Sequence, residues 1–166
     1  MNKKAISGVI ATVIMIALVL AAVAIVWGVV TNLVEEQLES SGNCFDIFGK
    51  VSINPSYTCY NTSDKKFLFS VSVGDINVDK IIVSVSGQGT TKSYTLTNDN
   101  QTISGLTRYP GGETNIIAPG NNSGLTYISS EFPSRPDSIR VSPVVGNTQC
   151  EVSDSLQVIE SCALLA

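Results

Sequence analysis

Met1-Asn2-Lys3-Lys4-Ala5-Ile6-Ser7-Gly8-Val9-Ile10-Ala11-Thr12 opens the chain, and after Lys4 no charged residue follows until Glu35. Ala5 to Val34 is a run of 30 uncharged, mostly apolar residues directly behind two lysines. As a helix, 30 residues measure about 45 Å, whereas about 20 suffice to cross the hydrocarbon core of a bilayer. The first fifth of the chain is therefore membrane-directed. The question is which kind of membrane segment it is.

Three kinds compete. A secretory signal peptide has an apolar core of about 7–15 residues and a small-residue cleavage site. Ala21-Ala22-Val23-Ala24 imitates such a site, but the apolar run is about twice too long. A plain transmembrane anchor fits the length. Lys3 and Lys4 would then stay cytoplasmic under the positive-inside rule, leaving everything after Val34 outside, including Glu35, Glu36 and Glu39. The third kind uses a detail the anchor ignores: Lys-Lys-Ala abuts the apolar run with no polar spacer. That arrangement suits a peptidase cutting on the cytoplasmic side, between basic leader and hydrophobic helix.

The stretch Lys3-Lys4-Ala5-Ile6-Ser7-Gly8-Val9-Ile10-Ala11-Thr12-Val13-Ile14 resembles the class III signal peptide and helix start of archaeal type IV pilins. The resemblance is specific over roughly residues 1–30 and architectural beyond. It implies that prepilin peptidase reads Lys3, Lys4 and Ala5, cuts after Ala5 and leaves Ile6 as the mature start. It further implies an assembly ATPase and a membrane platform protein as partners, neither encoded here. Bacterial relatives usually carry a glutamate at the fifth mature position, which here is Ile10, so no docking scheme based on that carboxylate carries over. Archaeal members commonly lack it.

Small residues that let helices approach closely matter in lipid, where no hydrophobic force drives helices together. Gly8 and Thr12 stand four apart, as do Ala17 and Ala21, then Ala24 and Gly28. Trp27 falls near the outer interface, where aromatic residues collect. Beyond Val30 the text turns amphipathic, with Leu33, Val34 and Leu38 on one stripe and Glu35, Glu36 and Glu39 on the other. The helix is expected to run to about Ser40 and stop at Ser40-Ser41-Gly42-Asn43, giving a stalk (6–42) joined to a head (43–166).

The head reads as β structure. Phe67, Phe69, Val71 and Val73 alternate with Leu68, Ser70 and Ser72; Ile81, Val83 and Val85 with Ile82, Ser84 and Ser86; Ile139 and Val141 with Ser138, Arg140 and Ser142. Tyr94-Thr95-Leu96 and Leu125-Thr126-Tyr127-Ile128 add two further strands. Turn signals separate them at Asn54-Pro55, Gly74-Asp75, Gly87-Gln88-Gly89, Asn98-Asp99-Asn100, Pro110-Gly111-Gly112, Pro119-Gly120-Asn121 and Gly146-Asn147. The expected class is α+β: a long hydrophobic α-helix followed by an antiparallel, immunoglobulin-like sandwich.

Cys44, Cys59, Cys150 and Cys162 all lie outside the membrane on this topology, and an even count in an exported β domain predicts two disulfides with pairing open. Zinc is the rival, but no CxxC pair and no histidine is present. Asn61-Thr62-Ser63, Asn100-Gln101-Thr102 and Asn121-Asn122-Ser123 match the N-glycosylation pattern within expected turns, where Asn, Ser and Thr are also common for other reasons.

Chemistry is sparse. Zero histidines removes the commonest general base and metal ligand. There is no phosphate loop and no nucleophile elbow. Asp75 and Asp79 flank Ile76-Asn77-Val78, yet nothing completes a calcium loop around them. Lys65-Lys66 is too short for a nucleic-acid footprint. No cofactor, metal or enzymatic activity is expected. The net charge of −4 becomes −6 once Lys3 and Lys4 leave, which suits solubility outside the cell. The expectation is a self-polymerising subunit of an archaeal type IV pilus-like filament, for adhesion or surface attachment. An archaellin is the near alternative, and a single-pass surface binding domain that never polymerises is the alternative from another class.

Overall fold

A computed structural model describes residues 3–146 and 148–162 of the chain, and only the backbone of 3–9 and 35–43. It consists of one long helix and two β-sheets, and divides into compact units at Gly42–Asn43.

Helix α1 runs from Lys3 to Phe45 without a proline. Its Val and Ile content is mediocre for helix propensity in water. In lipid that penalty is minor, because every backbone N–H and C=O must be bonded internally and a helix does so. The expected stop at Ser40-Ser41-Gly42-Asn43 is corrected: the helix passes through it and ends at Phe45. A glycine inside a helix costs only about 1 kcal/mol, and the last turn is held from outside by a disulfide at Cys44. Ile47 then turns inward to join the head core.

The strands are β1 (Val51–Ile53), β2 (Cys59–Asn61), β3 (Lys66–Val73), β4 (Lys80–Gly87), β5 (Thr90–Thr97), β6 (Leu106–Arg108), β7 (Ser123–Ser129), β8 (Ser138–Val145), β9 (Thr148–Gln149), β10 (Asp154–Leu156) and β11 (Glu160–Ser161). One sheet has the order β11-β2-β3-β7-β6, with β1 also on β3; the other runs β10-β8-β4-β5, with β9 on β8. Each alternating run becomes a strand, because its apolar face is what the opposite sheet buries. Gln88 and Gly89 both take positive φ between the paired Gly87 and Thr90. That is the primed two-residue turn whose twist matches a hairpin.

Two features depart from a plain antiparallel sandwich. Strand β11 pairs parallel to β2, matching Glu160 with Cys59. The chain leaves the second sheet after β10 and returns to the first, where Cys162 is bonded to Cys59. In addition, the edge beside β3 is broken. β1 covers Val71–Val73, β2 covers Lys66–Leu68, and a 3₁₀ turn at Pro55–Tyr57 bridges them. The Asn54 carboxamide accepts from the Ser56 amide at 3.1 Å and caps that turn, while the Thr58 hydroxyl accepts the Ser70 amide at 3.2 Å, filling the gap in the ladder.

The core lies between the sheets. Phe67, Phe69, Val71, Ile81, Val83, Val85, Leu96, Tyr127, Ile139 and Val141 are fully buried. Phe69 sits at the centre, its ring centroid 5.3 Å from Tyr127 and 6.1 Å from Tyr94 on the facing sheet. The buried phenols end on partners: Tyr127 donates to the Ile117 carbonyl at 2.6 Å and Tyr60 to that of Phe132 at 3.2 Å. Phe69→Ala should cost about 3–5 kcal/mol in denaturant unfolding of the head. Ser93→Ala on the exposed outer face should cost no more than about 0.5–1 kcal/mol. Equal costs would mean that the two sheets do not share this core.

Candidate functional site

The membrane-directed helix carries exposed apolar side chains. Ile10–Val34 is a 25-residue helical segment long and apolar enough to cross a bilayer. Its large apolar side chains are 47% to 72% exposed. At about 100° per residue, Ala17, Ala21, Ala24 and Gly28 fall within roughly 60° of one another, and Thr31 continues the stripe. Positions 8 and 12 lie on roughly the opposite side. The expected small residues thus divide between two surfaces of the helix. The Thr31 hydroxyl donates to the Trp27 carbonyl at 3.0 Å and the Gly28 carbonyl at 3.2 Å, which removes the cost of an unbonded hydroxyl in lipid. Trp27 is 71% exposed. The side chains of Lys3, Lys4, Ala5, Ile6, Glu35, Glu36 and Glu39 lie outside what is described, as do Met1 and Asn147.

The four cysteines pair as Cys44–Cys150 and Cys59–Cys162. The two closed loops interleave, each enclosing most of the head. One bridge binds the last turn of α1 to the loop after β9, and the other binds β2 to the chain just past β11. Around the first, Gly49 donates to the Ser153 hydroxyl at 3.1 Å and that hydroxyl donates to the Val51 carbonyl at 2.7 Å. The Asp154 carboxylate accepts from the Ile53 amide at 2.8 Å. The chain's entry is therefore tied to its end at four points.

Asn100 and Asn121 lie in separate loops and are exposed, whereas Asn61, expected in a turn, is the half-buried last residue of β2. The Asn61 side-chain oxygen accepts the Ser63 and Asp64 amides at 2.9 and 3.2 Å. Its amide nitrogen donates to Asp64 at 3.3 Å. A sugar on that nitrogen would leave both backbone bonds intact, since they use only the oxygen.

Asp75 and Asp79 do not converge. Asp75 accepts from Asn122 at 3.4 Å, whereas Asp79 accepts the Gly146 amide at 2.6 Å. Among the described residues, no group of three or more His, Cys, Asp or Glu could hold a metal. An open groove of about 710 Å³ beside β6 is lined by Lys66, Thr107, Ile128, Ser130 and neighbouring loop residues. It offers hydroxyls and one amine, with no nucleophile and base in contact.

One polar cluster was not legible in the sequence. Lys92 bonds Glu131 at 2.8 Å, the other Glu131 oxygen accepts from the Tyr94 hydroxyl at 2.9 Å, and that hydroxyl lies 2.8 Å from Ser129. The chain of bonds joins β5 of one sheet to β7 of the other. Gly105, at φ +72°, is required beneath it: a Cβ there would lie 2.3 Å from the Glu131 side chain. The Lys92 bond holds the Glu131 carboxyl below its usual range, against an opposing desolvation. Burial pushes the Tyr94 and Tyr127 phenols well above theirs. Tyr94 was visible only as part of an expected strand; its partners lie 35 and 37 residues away. No protein-family model, curated protein or solved structure matches the chain.

Two outcomes are expected. A carboxyl whose folded pKa is depressed stabilises above the unfolded value of about 4.3, and that contribution fades as pH falls through the folded value. The stability difference between wild type and Glu131→Gln should therefore be present at neutral pH and shrink below about pH 4, read by denaturant unfolding across that range. Replacing Cys59 and Cys162 together by serine should cost about 2–5 kcal/mol, since the loop they close is 103 residues apart in sequence. A loss below about 1 kcal/mol would mean that this bridge does not constrain the unfolded chain.

Proposed function

We propose that this chain is the structural subunit of a type IV pilus-like surface filament, polymerising through its N-terminal helix and presenting the β head outward for adhesion or surface attachment. The observation that carries the reading is a helix with exposed apolar side chains, long enough to cross a bilayer, followed by a head whose first residues are cross-linked. A domain made only to bind at a membrane needs a span and a tether, and a bridge at Cys44 does not serve that purpose.

The mechanism follows from the physical cost of each state. Before cleavage, Lys3 and Lys4 hold the leader in the cytoplasm, because drawing a lysine into hydrocarbon costs about 3 kcal/mol or more. Cleavage after Ala5 removes both charges. The helix from Ile6 can then leave lipid sideways into a bundle of copies, where apolar contact with neighbours replaces contact with acyl chains. Close approach needs small residues on the contacting surface, and Ala17, Ala21, Ala24 and Gly28 supply one such stripe. The heads, held oxidised outside the cell and carrying N-linked sugars on Asn61, Asn100 or Asn121, form the outer sheath. Prepilin peptidase, an assembly ATPase and a membrane platform protein are the partners this scheme requires. An archaellin would share every one of these features and differ in whether the filament rotates.

The test is the N-terminus and intact mass of native protein sheared from the cell surface. A start at Ile6 in a sedimenting fraction is expected. Retention of Met1 or Asn2 in the membrane pellet would make the chain an anchored surface domain, and a start beyond Ala21 would make it an ordinary secreted protein.

A further inference from the structure

On the outward face of the first sheet, a glycosylation sequon stands beside the groove at β6. Tyr60, Phe67, Leu106 and Tyr127 point into the core. Successive side chains of a strand alternate between faces, so their neighbours Asn61, Lys66, Thr107 and Ile128 project from the other face. The ladder sets these side by side: Asn61 pairs with Lys66, Leu68 with Ile128, and Ile128 with Thr107. Directly paired side chains have Cβ atoms about 4.5–5.5 Å apart. Lys66, Thr107 and Ile128 line the groove of about 710 Å³, and Thr102 and Ser130 add hydroxyls to it. Asn61 is therefore one strand away from the groove, on the same face as its floor. Its carboxamide is also fixed, because the oxygen is held by the Ser63 and Asp64 amides at 2.9 and 3.2 Å.

The lining suits a saccharide. It combines hydroxyls with the Lys66 ammonium, which forms no ion pair among the described residues. The volume lies within the range of ligand sites, about 300–1,000 Å³, but the groove is open and would hold a free sugar only weakly. A tethered sugar needs no more. Its effective concentration is about millimolar, and attachment has already removed its translational freedom, so a local dissociation constant of about 1 mM gives substantial occupancy. Asn100 precedes the groove residue Thr102 by two positions, yet it is exposed in an irregular loop and no side-chain bond among the described residues fixes it. Asn121 lines a different pocket, with Asn98 and Asp79.

We propose that the groove beside β6 cradles the first sugars of an oligosaccharide N-linked to Asn61, so that this glycan lies along the first sheet. The inference rests on the exported, glycosylated head of the proposed function. The Lys66 ammonium and the hydroxyls of Thr102, Thr107 and Ser130 bond sugar oxygens, while Ile128 packs against the apolar face of a ring.

The first experiment compares amide hydrogen exchange in native protein from the producing cell with that of Ser63→Ala protein from the same cell. The substitution destroys the sequon but keeps Asn61 and the backbone amides that hold it. Glycopeptide mass should show a sugar on Asn61 in the native protein and none in the variant. Exchange over residues 102–108 should be about fivefold slower in the native protein, the effect of an occupancy near four to one, and equal in both over residues 119–123. Equal exchange over 102–108, or a native Asn61 without sugar, would overturn the proposal. Loss of the protection in Asn100→Gln, with the Asn61 sugar still present, would also overturn it. If the Ser63→Ala protein fails to accumulate, Thr107→Trp fills the groove instead. The Asn61 glycan should then stay attached and be oxidised by periodate about fivefold faster than in wild type; an unchanged rate overturns the proposal. The N-terminus of the same preparation decides the filament reading independently, since a start other than Ile6 leaves the sugar and its protection in place.

Discussion

A long helix whose apolar side chains are exposed is the constraint on which this molecule depends. Ile10–Val34 exposes nearly its whole circumference of valine, isoleucine, leucine and alanine. Left in water, such a surface costs about 25 cal/mol for every Å², and it must meet either acyl chains or other helices. The head has a core of its own between its two sheets and must hold itself together around it. The interleaved disulfides do this by tying the chain's entry and its final strand to the body of the sandwich.

That division explains the uneven placing of polar groups. In the helix the described hydroxyl of Thr31 is bonded back to its own backbone, since lipid offers no partner. In the head every described buried side-chain polar atom has a partner. The costly ones are grouped: Tyr94, Ser129 and Glu131 share bonds across the gap between sheets, with Lys92 neutralising the carboxylate from the partly exposed side. Such a network rigidifies one relative placement of the sheets because a half-satisfied version leaves a buried phenol unpaired.

Most of the architecture was written in local pattern. β3, β4 and β8 announced themselves by apolar residues at every second position, and β5 and β7 by β-branched and aromatic ones, although both faces of β3 and β8 are largely buried. β1, β2, β6, β9, β10 and β11 did not, being two or three residues long, too short for a period to register. Their existence is a consequence of long-range pairing: β11 is a strand only because Cys162 and β2 hold it there. The helix end failed for the same reason. Ser40-Ser41-Gly42-Asn43 carries genuine stop signals, but a bridge 106 residues away in sequence outweighs them. Disulfide pairing and the Lys92–Glu131–Tyr94–Ser129 cluster were invisible, since no spacing rule connects residues brought together by a fold. The small-residue positions were all visible, and their division into two helix surfaces follows from the helical register alone.

The junction at Cys44 is where these constraints meet. Here the last helical turn is covalently part of the head, and Ile47 inserts into the β core two residues after the helix ends. A pull on the helix is therefore delivered to the second sheet through Cys150 and to β1 through the Ser153 and Asp154 hydrogen bonds, spread over several bonds rather than one strand end.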